Sequence, residues 1–165
     1  MKTNFYEFSQ NNSGGYFDIN SEVTHRMLIE ALNPKHAESI METLTENQSP
    51  SCSCCGDRWS LWSPDVVELD KYAENGFTVS VSSWDKFAEK TWLKKYGSLN
   101  IVEQPKWVEN RYSTSFVGKV VFNTIEEYAQ YEANEWGYDG SDQYGDTRIV
   151  YLDGTVKDFF KVIVE

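Results

Sequence analysis

The sequence predicts a single α+β domain over residues 1–165, with an antiparallel-rich mixed sheet and two or three helices on one face. Three observations favour this class: a length of 165 residues, two strand-then-helix units, and a hairpin signal near the C-terminus. A chain of this length buries a core of its own without disulfide staples. The order of the units indicates a variant of the ferredoxin-like arrangement.

The first strand-then-helix unit lies in the N-terminal third of the chain. Aromatic side chains favour a strand at 4–8, and the partly alternating run 23–31 is typical of a central strand. Asn33 is a good N-cap and Pro34 suits the first helical position, so we expect a helix from there to about Thr45.

The remaining elements follow from turn and capping signals. In chain order they are strands at 66–69 and 77–81, a helix from Ser82 to Gly97, a loop at 98–112, a strand at 115–122, a helix from Thr124 to about Trp136 and a hairpin at 147–164. Thr124 and Glu127 have the spacing of a capping box. Asp153 and Gly154 favour a type I′ turn in the hairpin.

The composition disfavours some partners and suits others. A formal net charge of −11 disfavours direct binding of nucleic acid, but it suits a protein whose carboxylates mimic nucleic acid. The acidity is strongest at 121–165, where ten Asp and Glu outnumber three Lys and Arg. No signal peptide follows Met1 and no apolar run approaches membrane length, so we expect a reduced, cytosolic setting.

Residues 46–64 form the most unusual stretch of the chain, a long irregular segment that holds all three cysteines. Long connections inside a compact domain are usually functional or mobile. The segment allows four interpretations: a zinc site, a reactive thiolate, a ligand-binding loop, or a set of aromatic anchors that fix a loop on the core.

The zinc interpretation rests on the spacing of Cys52 and Cys55, which is that of a zinc knuckle. A structural zinc site needs four ligands in a tetrahedron, so two more would come from His25, His36 or Asp57. Because the chain has no second cysteine pair, we expect no cofactor and keep zinc as the alternative.

A reactive thiolate needs a nearby positive charge or a helix N-terminus to lower its pKa. Arg58 is the one cation close to the cysteines in sequence, and only two histidines could serve as a base. An enzyme is therefore the least favoured class, and we assign no catalytic residue.

The ligand-binding interpretation rests on the end of the same segment. Arg58 offers a planar fork of donors for phosphate or carboxylate, and Trp59 and Trp62 offer faces for stacking. An Asn/Ser/Gly loop near the N-terminus would add backbone donors. The predicted ligand-binding residues are Asn11, Asn12, Ser13, Asp57, Arg58, Trp59 and Trp62.

The structural alternative gives the same residues a different role. Trp59, Leu61 and Trp62 then anchor the segment on the core, and the cysteines are small buried hydrophobes. Asp57 and Arg58 pair across the turn. Aromatic anchors of this kind are common under loops, so this alternative carries the greater weight.

Four stretches stand out together: Phe5–Gly15, Cys52–Trp59, Thr124–Ala129 and Tyr151–Lys157. They resemble signatures of a family of small uncharacterised bacteriophage proteins. The resemblance leaves out about 72–112, which we expect to be an inserted segment. It implies a non-virion phage protein that acts in the host cytoplasm, where it counters host defence or redirects host machinery.

Two binding functions follow, and an enzyme ranks below both. In the first, the protein sequesters a small anionic ligand such as a nucleotide immune signal, held by Arg58 and stacked on Trp59 and Trp62. In the second, an acidic C-terminal half covers a basic, nucleic-acid-binding surface of a host or defence enzyme. The third is a zinc- or thiolate-dependent enzyme. We expect no direct contact with nucleic acid or membrane. Assembly into a homo-oligomer is kept as an alternative.

Overall fold

A computed structural model describes most of the chain. The described residues are 2–11, 19–46, 57–69, 77–78, 85–109, 114–136 and 145–161. The elements, in chain order, are β1 (Asn4–Ser9), β2 (Arg26–Ala31), α1 (Pro34–Thr45), β3 (Asp65–Val66), β4 (Phe77–Thr78), α2 (Asp85–Tyr96), β5 (Asn100–Glu109), β6 (Thr114–Val121), α3 (Ile125–Trp136), β7 (Thr147–Val150) and β8 (Val156–Phe159). The chain forms two compact units, one of Met1–Val67 with Tyr128–Glu165 and one of Glu68–Glu127. Within the described ranges, no helix is both long and apolar enough to cross a membrane.

The first unit is built on a five-stranded sheet with the strand order β3-β1-β2-β7-β8. β2 and β7 pair in parallel, while the other neighbours pair antiparallel. This mixed, mostly antiparallel sheet and the three helices of the described residues confirm the α+β class. β2 is the middle strand of the sheet, as the run 23–31 predicted.

β2, α1 and β3 form a split β-α-β unit. β2 and β3 both run antiparallel to β1, so they are parallel to each other with β1 between them. Ferredoxin-like folds contain this kind of connection. In this chain two strands precede α1 and two follow α3. The split β-α-β unit therefore occurs within a different order of helices and strands.

α1 begins where the sequence predicted. The side chain of Asn33 accepts a hydrogen bond from the backbone N–H of His36 at 2.8 Å, and Pro34 holds the first helical position. The cap satisfies an N–H group that the helix itself leaves without a partner. Ala37 and Met41, four residues apart, are buried against the core.

The core of the first unit lies between α1 and one face of its sheet. Tyr6 and Phe8 of β1 and Met27 and Ile29 of β2 contribute to this core. Because side chains alternate along a strand, these residues share one face, and their neighbours in sequence point to the other.

α3 meets the opposite face of this sheet. Tyr128 donates a hydrogen bond to Glu7 at 2.8 Å, and Arg26 pairs with Glu132 at 3.2 Å. Leu28 is fully buried on the same face as Arg26, so this face also needs a covering layer. Helices therefore lie on both faces of the sheet, which corrects the one-sided arrangement expected from the sequence.

The second unit holds a three-stranded antiparallel sheet in the order β4-β6-β5. β5 shows that the predicted loop at 98–112 was wrong, since ten residues there alternate in exposure and pair with β6. Pro105 is unusual inside a strand, but β5 lies at an edge of the sheet and its register shifts between Glu103 and Lys106. A missing N–H group is tolerated at such a position.

The C-terminal hairpin forms as predicted, but with a different turn. A type I′ turn requires positive φ at both central residues. Of the described residues in this loop, only Gly154 has one, at 89°. Residues 152–154 connect Tyr151 to Thr155, and the Tyr151 N–H donates to the Thr155 carbonyl at 2.8 Å. This is a three-residue loop closed by a left-handed glycine, which spares Asp153 a strained conformation.

Candidate functional site

A small cleft lies between α1 and residues 57–64, the segment that leads into β3. We name it the tryptophan cleft, and it is lined by Glu38, Glu42, Trp59, Leu61 and Trp62. Both predicted stacking residues, Trp59 and Trp62, are among the five. The structure thus brings together part of the predicted site and adds two glutamates to it.

α1 supplies the acidic wall of the tryptophan cleft. Glu38 and Glu42 are four residues apart, so they lie one turn apart on the same side of the helix. Each follows a buried residue, Ala37 or Met41, whose packing fixes the rotation of α1 on the core. The side chain of Glu38 is only 13 % exposed, as expected for a position beside the buried stripe.

The segment 57–64 supplies the aromatic wall and is joined to the end of β1. Trp59 forms a β-bridge with Gln10, and the N–H of Asn11 donates to the carbonyl of Arg58 at 2.7 Å. Trp59 and Leu61 also pack against the apolar core of the first unit. Part of the structural alternative is therefore correct, since these two side chains anchor the segment.

Trp62 has a different environment. It is 78 % exposed, so it is not an anchor. The next residue, Ser63, has a φ of 49°, in the left-handed region that costs a non-glycine residue about 1–2 kcal/mol. The Ser63 N–H donates to Glu38 at 3.0 Å, which ties this turn to α1. An open tryptophan held beside a cavity is typical of a binding surface.

The size of the tryptophan cleft excludes a nucleotide as an enclosed ligand. Its volume is about 160 Å³, whereas pockets for drug-sized molecules hold about 300–1,000 Å³. One long side chain of a partner protein fits this volume better than a base with its sugar and phosphates.

The tryptophan cleft carries negative charge. Glu38 accepts the Ser63 N–H and lies 3.9 Å from the ammonium of Lys35, a pair that solvent screens because Lys35 is largely exposed. Within the described part of the chain, Glu42 forms no hydrogen bond or ion pair. The lining residues include no Lys or Arg. The cleft therefore favours a cation over an anion.

Arg58, predicted to grip an anionic ligand, does not line the tryptophan cleft. It is 3 % exposed, and its Nη1 donates a hydrogen bond to Gln10 Oε1 at 3.2 Å. Arg58 is thus not partly open beside the tryptophans, because the bridge between Trp59 and Gln10 brings its side chain to a buried acceptor. Asp57 is exposed and forms no ion pair with Arg58 among the described residues, so the proposed pairing across the turn is corrected too.

The predicted Asn/Ser/Gly loop is described only at its start. The N–H of Asn11 is used by the Arg58 carbonyl, so this donor is not open to a ligand. Asn12 and Ser13 lie outside the described residues. Their role in ligand binding stays a prediction.

Cys52 and Cys55 also lie outside the described residues, so the zinc alternative stays a prediction. His25 and His36, two proposed additional ligands, each accept a backbone N–H group at Nδ1, at 2.8 and 3.1 Å. A metal bond from either histidine would therefore use Nε2. In the described ranges, no group of three or more His, Cys, Asp and Glu is arranged to hold a metal ion.

Several carboxylates of the acidic C-terminal part of the chain serve the fold itself. Glu127 accepts a backbone N–H at the start of α3, Glu132 pairs with an arginine of β2, and Asp158 pairs with an arginine of β7. Asp139 and Asp142 lie outside the described residues. Carboxylates with internal partners are less available to a basic protein, so among the described residues the exposed Glu42 of the tryptophan cleft is more available than these three.

A cluster of charged side chains around Arg26 also serves packing. Arg26 pairs with both Glu7 and Glu132, between β1, β2 and α3. Burial, and then the charges of Glu7 and Glu132, raise the pKa of Tyr128, whose hydroxyl donates to Glu7. This guanidinium contacts two carboxylates at once, so it offers no open charge to a ligand.

A second, open cavity of about 500 Å³ lies at the C-terminal hairpin. It is lined by Glu30, Tyr151, Leu152, Asp153 and Thr155. Both of its carboxylates accept hydrogen bonds, Glu30 from Leu152 and Asp153 from Thr155. The hydrogen bonds from the Thr155 side chain and backbone hold the pKa of Asp153 below its usual range. Its lining contains two carboxylates and no Lys or Arg, so the cavity disfavours a phosphate.

Glu38 and Glu42 are the site residues that sequence reasoning missed. Their spacing in a capped helix was a usable signal, because it predicts two carboxylates on one side of α1. The placement of Trp62 beside them depends on how residues 57–64 cross α1. No local pattern in the sequence reports that crossing.

Comparison with known proteins gives a family. Residues 3–96, more than half of the chain, match the model of a family described as Domain of unknown function (DUF7296). The matched part contains every residue of the tryptophan cleft. No curated protein and no solved structure matches the chain.

Proposed function

The chain belongs to the family described as Domain of unknown function (DUF7296), whose description names no activity, and we propose a function from the tryptophan cleft. The protein is a non-enzymatic binding protein that covers a basic, nucleic-acid-binding surface of a host or defence enzyme. The observation that carries this proposal is an exposed tryptophan, Trp62, in one cleft with two carboxylates, Glu38 and Glu42.

Both walls of the tryptophan cleft suit a basic protein surface. Tryptophan is enriched among the residues that dominate binding energy at protein interfaces. Carboxylates beside it attract the Lys and Arg side chains that nucleic-acid-binding surfaces present. The net charge of −11 adds long-range attraction, which speeds the encounter with a basic partner.

Sequestration of a small anion is the second candidate function. Its support is the sequence pattern of Arg58 beside two tryptophans, since the structure buries the Arg58 guanidinium against Gln10. The cleft that holds Trp59 and Trp62 is small and negatively charged, so it does not extend an anion site around Arg58. The basic-surface function uses more of the observed geometry.

The resemblance of four stretches to bacteriophage proteins supports a setting in an infected cell. A phage protein that covers such a surface acts in the host cytoplasm. It blocks the enzyme's access to DNA or RNA, which either counters host defence or redirects host machinery.

Affinity capture from infected host cells tests this function. The baits are the tagged protein, the cleft variants Trp62→Ala and Glu42→Gln, and the control Glu46→Gln. Glu46 is an exposed residue at the C-terminal cap of α1 and does not line the cleft, so its variant matches the charge change of Glu42→Gln. We expect wild type and control to retain a nucleic-acid-binding protein that both cleft variants lose.

Two further measurements sharpen this experiment. Added DNA or RNA should displace the captured protein, and capture should weaken steeply between low and physiological salt, because exposed charges are screened. Equal capture by all four baits, or capture that nucleic acid does not displace, contradicts the proposed function.

A further inference from the structure

We infer that the tryptophan cleft accepts a single arginine side chain of its partner, stacked on Trp62 and paired with Glu42. This inference rests on the proposed function and names the group that the cleft recognises. It follows from the availability of the two side chains, the volume between them and the geometry of guanidinium.

Glu42 is the carboxylate that is available for pairing. Glu38 is mostly buried and accepts the Ser63 N–H at 3.0 Å, so its role is to hold the turn beside Trp62. Glu42 is exposed and, among the described residues, has no hydrogen bond or ion pair of its own. A cation that enters the cleft therefore meets one carboxylate without displacing an internal partner.

Trp62 supplies the stacking face. Its 78 % exposure leaves the ring open to a partner, while Trp59 and Leu61 are packed on the core and form the apolar floor. Tryptophan is the best aromatic partner for a cation placed over its face. An arginine stem of three methylenes also gains from contact with the apolar floor.

An arginine side chain can contact the Trp62 ring and the Glu42 carboxylate at the same time, and it does so better than a lysine side chain. Guanidinium is planar, so it stacks on an indole while its edge donates two hydrogen bonds to a carboxylate. The lysine ammonium is a compact, strongly hydrated charge that cannot stack in this way. A volume of about 160 Å³ suits one such side chain.

The test is a titration of the full chain with N-acetyl-arginine amide. The matched ligands are the lysine derivative and the neutral citrulline derivative, which has nearly the shape of arginine without its charge. Binding is followed by NMR at the Trp62 indole N–H, whose signal is identified by its loss in Trp62→Phe. We expect a Kd on the order of 1 mM for arginine, at least about fivefold weaker binding of lysine, and no measurable binding of citrulline.

Two protein variants test the contact with Glu42. Glu42→Gln should weaken arginine binding about tenfold, because the charge-assisted hydrogen bonds are lost. Glu46→Gln should leave it unchanged. Citrulline binding equal to arginine binding, or a Glu42→Gln variant that binds arginine as wild type does, overturns the inference.

The two proposals fail in different ways. If the arginine derivative binds at Trp62 and Glu42 but infected cells yield no partner, the inferred occupant stands and the proposed function falls. If capture from cells depends on the cleft but the derivative does not bind, the single-arginine occupant is wrong and the proposed function stands.

Discussion

Arg58 joins the segment before β3 to the end of β1 through one buried polar group. Its Nη1 donates to Gln10 Oε1, and Gln10 Nε2 in turn donates to the carbonyl of Thr24 at 3.2 Å. Buried polar atoms of this kind are costly to leave without a partner. At the residue scale, Arg58 is therefore a structural residue on the evidence of its contacts, and a ligand contact only by prediction.

Arg58→Ala tests that assignment. Removal of the guanidinium leaves Gln10 Oε1 without this donor, so we expect the free energy of unfolding to fall by about 1–3 kcal/mol. Denaturant unfolding measures the loss, and Asp57→Ala is the control, because Asp57 is exposed and adjacent. A panel of nucleotides is titrated in parallel. Nucleotide binding by wild type that Arg58→Ala abolishes at unchanged stability would restore the small-anion function.

At the scale of elements, α1 is the platform of the tryptophan cleft. Its cap at Asn33 sets where the helix begins, and its buried stripe sets which side faces the core. These two features fix the positions of Glu38 and Glu42 on α1 independently of the segment 57–64. The bond from Ser63 to Glu38 then adds a tertiary tie, which positions the turn after Trp62.

In the second unit, the contact between α2 and β6 depends on a glycine. Trp92 of α2 is fully buried, and a Cβ at Gly118 of β6 would lie within 3 Å of its ring. The ring belongs to a large side chain packed in the core, so it cannot move aside cheaply. Glycine is needed here for close approach and not for its backbone freedom.

Gly118→Ala should therefore lower the free energy of unfolding by about 1–3 kcal/mol, the usual cost of overpacking. Trp92→Phe makes room for the added methyl, so the double variant should be more stable than the sum of the single effects predicts. Thermal or denaturant unfolding of the three variants measures this coupling. A Gly118→Ala protein as stable as wild type would contradict the packing described here.

For the whole molecule, the carboxylates that give the net charge of −11 fall into two groups. Some carboxylates, such as Glu132 and Asp158, pair with arginines within the first unit. Others, such as Glu42, have no partner among the described residues and act on what approaches from outside. The total charge governs long-range attraction, while the carboxylates without an internal partner govern which surface binds.

Metal content is a property of the whole molecule, because the binding free energy of a structural zinc ion adds to the free energy of unfolding. We expect purified protein to contain no stoichiometric zinc, and EDTA to leave its melting temperature unchanged. Elemental analysis and thermal melts with and without EDTA measure both. Stoichiometric zinc that is lost with a fall in melting temperature, and absent from Cys52→Ser, would establish the alternative site.

The local features of this protein were predictable because they depend on neighbours in sequence. The cap at Asn33 and Pro34, the capping residue Thr124 and the central strand at 23–31 are set by hydrogen bonds and alternation within a few residues. Net charge and the α+β class follow from composition and element order in the same way. β5 was not predicted, because a strand tolerates Pro105 only at an edge of a sheet. That edge position is a property of the whole sheet and not of the local sequence.

The site required the tertiary structure because its parts are distant in sequence. Arg58 and Trp62 are four residues apart, yet one is 3 % exposed and the other 78 % exposed. That difference arises from the bridge of Trp59 to Gln10, a contact across 49 residues, which no local pattern encodes. Likewise, Glu42 meets Trp62 only because residues 57–64 return across α1. Packing between separate parts of the chain therefore decided that the two tryptophans line an acidic cleft.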